Sequence, residues 1–393
     1  MQENTFPPFF RQARLALTLV LGRNEMTLTR ATWFGVFGLF ALMVGGAAAW
    51  SGRPAEDVSA GEYRVLSPIT RGNLTVFPVV TGRQHDTHMF MTLDEGLRSG
   101  EVVVREAGEV QPLLRRRPLP QRYDGAQVNR LVLLNNSDRP LLLLAGEIVT
   151  GGKQDRVVGK DRIVPANSDP IDLSVFCVEP GRWTGTTAQF GGIGSGSHKS
   201  AYVTQMAQPS VRSKAMAEKN QQEVWSEVNR SVAEMANAAP QASVGSTSSY
   251  ARVMGNDEVQ KKVDAVAAPI ERSYESVIRQ LRNQNAVGVV VAIDGEIVWA
   301  DIFASTPLLE KYWPKLVRSY AAESITRHAR KGAAGVKDAQ AFVDDLSGDR
   351  EMVETEPGIF RHTEIIGTGY RAFELASLLP KTGFDVHISK LSE

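Results

Sequence analysis

A single cysteine, Cys177, in 393 residues excludes an intrachain disulfide framework and a cysteine-rich metal knuckle. Net charge is lacking too: 44 basic residues balance 44 acidic ones, so no long-range field draws the chain to DNA, RNA or anionic lipid, and nucleic acid is not an expected partner. No G-x-S-x-G, H-E-x-x-H or cysteine pair occurs, which removes the common hydrolase and zinc signatures. Histidine is sparse. His85 and His88 flank Asp86, but residues three apart on a strand face opposite sides and no second ligand group stands nearby, while His198, His328, His362 and His387 are isolated. No metal site is expected, and no cofactor is indicated.

Long apolar runs are equally scarce. The one charge-free stretch is Ala31–Trp50, long enough to cross a bilayer as a helix. Arg11, Arg14, Arg23 and Arg30 precede it with Glu3 and Glu25 as the only acids, so the positive-inside bias places residues 1–30 in the cytoplasm and the bulk of the chain outside it, periplasmic or otherwise extracytoplasmic. Read from Met1, the long hydrophilic lead indicates an uncleaved membrane anchor. Read from Met26, the lead is short and Ala47-Ala48-Ala49 supplies the small-residue end of a secretory signal peptide. Both readings stand.

Beyond a linker over residues 51–62, the chain predicts an α+β protein with a largely antiparallel N-terminal half. Strands are expected at Tyr63–Ile69, Leu74–Val80, His88–Thr92, Glu101–Arg105, Gln127–Leu134, Leu141–Val149, Arg156–Val158, Arg162–Val164 and Ile171–Val178, with a helical turn at Asp94–Ser99. Cys177 falls in the last of these as a small core residue, with no helix start or neighbouring base to activate it. Residues 63–185 thus form the β-rich part. Residues 186–285 read as a glycine- and serine-rich loop and a helical insertion, with apolar faces at Val224, Trp225, Val228, Val232 and Met235 and along Asn256–Asn283, where Pro269 should kink the helix.

In residues 286–393, packing back on 63–185, Ala286–Phe303 is a hairpin whose Asp294-Gly295 pair fits a type I′ turn. A helix capped by Thr306 and opened by Pro307 should reach His328 with a break near Pro314, followed by a short helix at Val336–Asp345. Four strands close the chain, at Met352–Thr355, His362–Ile366, Tyr370–Leu375 and Phe384–Ile388.

Charge is densest where apolar strands are densest, from Leu141 to Trp183. Glu147, Lys153, Gln154, Asp155, Arg156, Lys160, Asp161, Arg162, Glu179 and Arg182 sit among core-like segments, a pattern that needs mutual pairing or a polar ligand. GEIVTGGK is a near miss to a phosphate-binding P-loop, with one spacer too many and no Ser or Thr after Lys153, so triphosphate hydrolysis is rejected. Thr150, Gly151, Gly152 and Lys153 can still turn backbone N–H groups toward an anion. Glu147 is the candidate general base or a paired structural carboxylate, its pKa raised by burial and lowered by any nearby cation. Glu179, Arg182 and Trp183 can stack and hold a planar anion, or close a turn. A tight hairpin at Gly159 would put one Arg and one Asp on each face, as an ion-pair lattice; one continuous strand would align Arg156, Lys160 and Arg162 as an anion site.

In order along the chain, LSPITRGNLTVFPVV, TLDEGLRSG, GEIVTGGKQDR, IVPANSDPIDLSVFCVEPGRW and GVVVAIDGEIVWADIFASTPLLEKYWPKLVRSYAAE resemble the ARG and rhodanese-phosphatase-superfamily-associated protein domain. GE-x-x-TGGKQDR and CVEPGRW are the specific parts. The resemblance implies ADP-ribose or nucleotide chemistry and supplies no catalytic residue. Two functions follow: a binding or hydrolytic module for an anionic, phosphate- or ribose-bearing small molecule, or a non-catalytic interaction domain whose charges are structural. Convergence of Glu147, Lys153, Arg156 and Arg182 on open space would favour the first, and mutual pairing the second.

Overall fold

The computed structural model describes residues 62–107, 129–182, 190–192, 205–281, 284–327 and 332–393. Residues 31–50 lie outside these, as do Trp183, His198 and His328 and, apart from Phe190, Gly191 and Gly192, the glycine-rich stretch. Among the described residues no helix is long and apolar enough to cross a membrane.

The N-terminal strands β1 (Tyr63–Val65), β2 (Ile69–Arg71) and β3 (Leu74–Thr81) do not form a sheet of their own. They join β13 (Asn285–Ile293), β14 (Glu296–Phe303), β15 (Asp349–Glu356), β16 (Phe360–Gly367), β17 (Tyr370–Ser377) and β18 (Asp385–Ser392) in a nine-stranded antiparallel sheet of order β1-β3-β13-β14-β18-β17-β16-β15, with β2 on β3. The hairpin of β13 and β14 turns at Asp294 and Gly295, whose φ angles of 52° and 77° are the positive pair that a type I′ turn requires. The run VVVAI is continuous because both faces are covered. Val290 and Ala292 pack with Phe77, Val79 and Ile388 beneath α8 (Val336–Asp344), while Val289 and Val291 face the main core with Phe303, Phe373 and Leu375.

The charged half is split between two smaller sheets, of order β12-β8-β9-β11-β6-β5 and β10-β7-β4. The six-stranded sheet holds β5 (Val102–Glu106), β6 (Arg130–Asn135), β8 (Glu147–Val149), β9 (Arg156–Val158), β11 (Ile171–Cys177) and β12 (Gln205–Met206); the other holds β4 (Met91–Thr92), β7 (Leu141–Leu143) and β10 (Arg162–Val164). The expected strand Leu141–Val149 is therefore two strands in two sheets. Gly146, at φ 95°, makes the break, and a Cβ there would lie 2.5 Å from Cγ of Arg212. Arg156–Val158 and Arg162–Val164 do not pair with each other either: β9 lies between β8 and β11, and β10 lies on β7. That corrects both the hairpin and the continuous-strand reading. One connection is parallel, β4 on β7.

The helical segment contains α2 (Pro209–Ser213), a π-helix (Lys214–Glu218), α3 (Gln221–Ala238), α4 (Ala242–Gly245), α5 (Tyr250–Met254) and α6 (Asp257–Gln280), after α1 (Leu93–Ser99) earlier in the chain. Asn220 and Asn256 cap α3 and α6 by accepting first-turn N–H groups. The following helix, α7 (Thr306–Thr326), is capped by Ser305 rather than Thr306 and runs without interruption through Pro314. It is buried on nearly all sides, so packing overrides the proline. Its central position brings Lys315 and Tyr320 into the core between the sheets.

Candidate functional site

The TGGKQDR turn aims its backbone N–H groups at anions, and the anions are the protein's own. Gly151 N donates to Asp155 Oδ1 at 3.0 Å, Lys153 N to Glu106 Oε1 at 2.8 Å, and Asp155 N to Glu179 Oε2 at 3.2 Å. Arg182 closes the cluster, 2.5 Å from Glu179 and 3.5 Å from Asp155, and donates to Gly152 O at 3.1 Å. Ser249 Oγ donates to Asp155 Oδ2 at 2.7 Å. Burial, and then the neighbouring Glu179, push the Asp155 carboxyl up, while Ser249, Gly151 and Arg182 pull it back. Gln154 and Arg156 are buried against this cluster, Gln154 Nε2 donating to Glu179 O at 3.2 Å and Arg156 Nη1 to Asp155 O at 3.5 Å. Cys177 lies in the same buried layer, and burial holds its thiol above the ordinary range. Gly152 is required because a Cβ would collide with the ring of Phe190.

Glu147 stands elsewhere. It is fully buried, accepts Leu144 N at 2.9 Å and meets Lys315 at 2.5 Å, while Lys315 also donates to Asp94 at 2.8 Å. Burial opposes the charge on Lys315, but Glu147 and Asp94 outweigh it and hold its ammonium above the ordinary value. Two carboxyls share one ammonium, so one of them rises. Burial first, with Asp94 adding, raises Glu147 against the pull of Lys315.

A second buried network lies where the chain crosses between the small sheets. Asp161 accepts Ala145 N at 2.7 Å and contacts His387 Nδ1 at 2.5 Å. His387 Nε2 is 3.1 Å from Asp301, which also takes a two-pronged Arg212 at 2.8 and 2.9 Å and the hydroxyl of Tyr320 at 2.5 Å. Two carboxylates thus balance a guanidinium and an imidazolium with no exposed surface at any of the four. Burial disfavours the imidazolium, but Asp161 and Asp301 overcome it and raise His387 to about 9. Burial likewise works against both carboxylates, and His387 and Arg212 hold them below their ordinary range.

Above this network opens a cleft of about 290 Å³ between β9, β11, the π-helix, β16 and β17. Phe176, Phe373, Val175 and Met216 form apolar walls, and Lys160, Lys219 and His362 supply the cationic and titratable groups. Lys160 pairs with Glu354, and Lys219 with Glu364 at 2.8 Å. Lys219 is held by an uncommon backbone: the π-helix ends in it at φ 52°, a left-handed value for a side chain with a Cβ. His362 is 2% exposed, stacks with Phe373 at 6.0 Å between ring centres, and neither ring nitrogen has a hydrogen-bond partner among the described residues. Burial lowers its pKa, Asp161 opposes that, and Lys160 adds to it.

The model of the ARG and Rhodanese-Phosphatase-superfamily-associated Protein domain matches residues 62–389. The chain belongs to this family. No curated protein and no solved structure matches it. In this family member the specific motif GE-x-x-TGGKQDR divides between two sites: Glu147 goes to Lys315 and Asp94, and the glycine turn goes to Glu106, Asp155, Glu179 and Arg182. Thr150 bridges to Gly191, its Oγ1 donating to Gly191 O at 3.2 Å. Arg162 goes to Glu354 and Glu356 on β15, 3.8 and 3.3 Å away. Among the described residues no group of three or more His, Cys, Asp or Glu side chains is arranged to hold a metal.

Sequence reading passed over His362, His387, Asp301, Arg212, Lys219 and Lys315. RHTEII and DVHISK lie in strands buried on both faces, so alternation does not single out His362 or His387.

Proposed function

We propose that this family member is a binding module for a small oxyanion carried on a compact apolar body, seated in the cleft of Lys160, Lys219 and His362. The supporting observation is His362: a buried imidazole facing a cleft with neither nitrogen satisfied among the described residues is a polar group awaiting a partner. The Lys160–Glu354 pair is partly exposed on both sides and is worth at most about 1 kcal/mol, and the buried Glu364 keeps Arg371 at 3.4 Å when Lys219 turns to an anion. The family's name records association with the rhodanese-phosphatase superfamily, so phosphate-bearing ligands, ADP-ribose among them, come first in a panel. In the same reading residues 31–50 carry the protein out of the cytoplasm, as anchor or as signal peptide.

Calorimetric titration of the full-length protein with aryl and sugar phosphates tests the cleft. Lys160→Ala and Lys219→Ala should each weaken binding by about 1–3 kcal/mol with the fold intact, the scale of a lost charge-assisted hydrogen bond. His362→Gln should weaken binding too, because it removes the imidazole that lines the cleft. Variants that bind as tightly as wild type, or a panel without a single binder, would overturn the assignment. A second reading, a non-catalytic domain, is favoured by the internal pairing of Glu147 and of the TGGKQDR turn; it predicts that no small molecule shifts the melting temperature.

A further inference from the structure

We infer that the cleft takes up one proton, on His362, as an oxyanion enters between Lys160 and Lys219, so that ligand affinity and pH are coupled. The inference rests on the cleft being the binding site and adds the protonation state of its one unsatisfied group. The charges around the imidazole come from several elements. Lys160 and Asp161 follow β9, Glu354 is on β15, Lys219 ends the π-helix, Glu364 shares β16, and His387 on β18 stands behind Asp161. Without ligand each carboxylate is paired: Glu354 with Lys160 and Arg162, Glu364 with Lys219 and Arg371 on β17, and Asp161 with His387.

A bound monoanion adds a negative charge beside a buried neutral imidazole in a cavity with largely apolar walls, and protonation of His362 offsets it. A neutral imidazole offers one donor and one acceptor, whereas the imidazolium offers two donors, which suits an oxyanion. The ligand-free group is held neutral by burial, with Lys160 and Lys219 adding, below its ordinary 6.5. The cleft of about 290 Å³ has room for an acidic head and one ring, and a larger ligand extends into solvent.

Benzenesulfonate is the probe, because its charge is constant across the pH range and its ring matches the walls of Phe176 and Phe373. Titration of the full-length protein in buffers of different ionisation enthalpy should show uptake approaching one proton per ligand. Affinity should fall by about tenfold per pH unit wherever only the bound form is protonated. In ¹³C-histidine spectra, one resonance, missing in His362→Gln, should move to the protonated position on ligand addition. Binding without proton uptake and flat with pH would overturn the inference and leave the cleft assignment standing, as would uptake that survives in His362→Gln. Absence of benzenesulfonate binding at any pH would remove the cleft assignment and the inference together. If His362→Gln does not fold, the buffer series on the wild type decides alone.

Discussion

Replacing His387 by Gln should cost stability in a way that depends on pH. In the native protein the imidazolium lies between Asp161 and Asp301 with no exposed surface, at 2.5 and 3.1 Å. Its pKa rises from 6.5 to about 9, which corresponds to about 3 kcal/mol of linkage. A group raised on folding stabilises fully below its unfolded pKa, and that contribution disappears as pH climbs through the folded value. Below pH 6.5 the variant should therefore be less stable by about 3–5 kcal/mol, the scale for breaking a buried ion pair. Between pH 6.5 and about 9.5 the gap should close by about 3 kcal/mol.

Urea unfolding followed by circular dichroism at several pH values measures this. The quantity to read is the difference between wild type and variant, because Lys390, lowered by burial from 10.5 to about 8, changes stability in the opposite direction over that interval. A difference that stays constant from pH 6 to pH 9.5 would refute the charged-histidine assignment, and a difference near zero throughout would show that the network contributes nothing.

Lys315→Met leaves Glu147 and Asp94 facing each other without their ammonium and should destabilise by about 3–5 kcal/mol; adding Glu147→Gln should recover part of the loss. Additivity of the two changes within about 0.5 kcal/mol in urea titrations would show that the triad is not a unit. For the export reading, protease added to intact bacterial spheroplasts should digest the region after Trp50, and full protection until lysis would contradict it.

Local pattern was enough for the elements whose chemistry is local. Asp294-Gly295 specifies a type I′ turn wherever it stands, since both positions need positive φ and these residues tolerate it. The apolar stripe of α6 follows from burial of one face against a core, whereas β16–β18 are buried on both faces and are marked by their content rather than by alternation. The sequence also located the dense charge among apolar strands and the requirement that it be paired or bound, because the cost of burying a lone charge does not depend on the fold. Which partner each charge takes was decided by tertiary structure. Glu147 and Lys315 are 168 residues apart, and Asp161 and His387 are 226 apart, so no spacing rule connects them. The short strands around Gly146 and Gly159 pass from one sheet to another, and that crossing, rather than any local signal, leaves N–H groups of Leu144 and Ala145 for buried carboxylates to accept. For the same reason the cleft was invisible: its walls come from β9, β11, the π-helix and β16–β17, and only the closed fold brings an isolated histidine and two lysines to line one cavity.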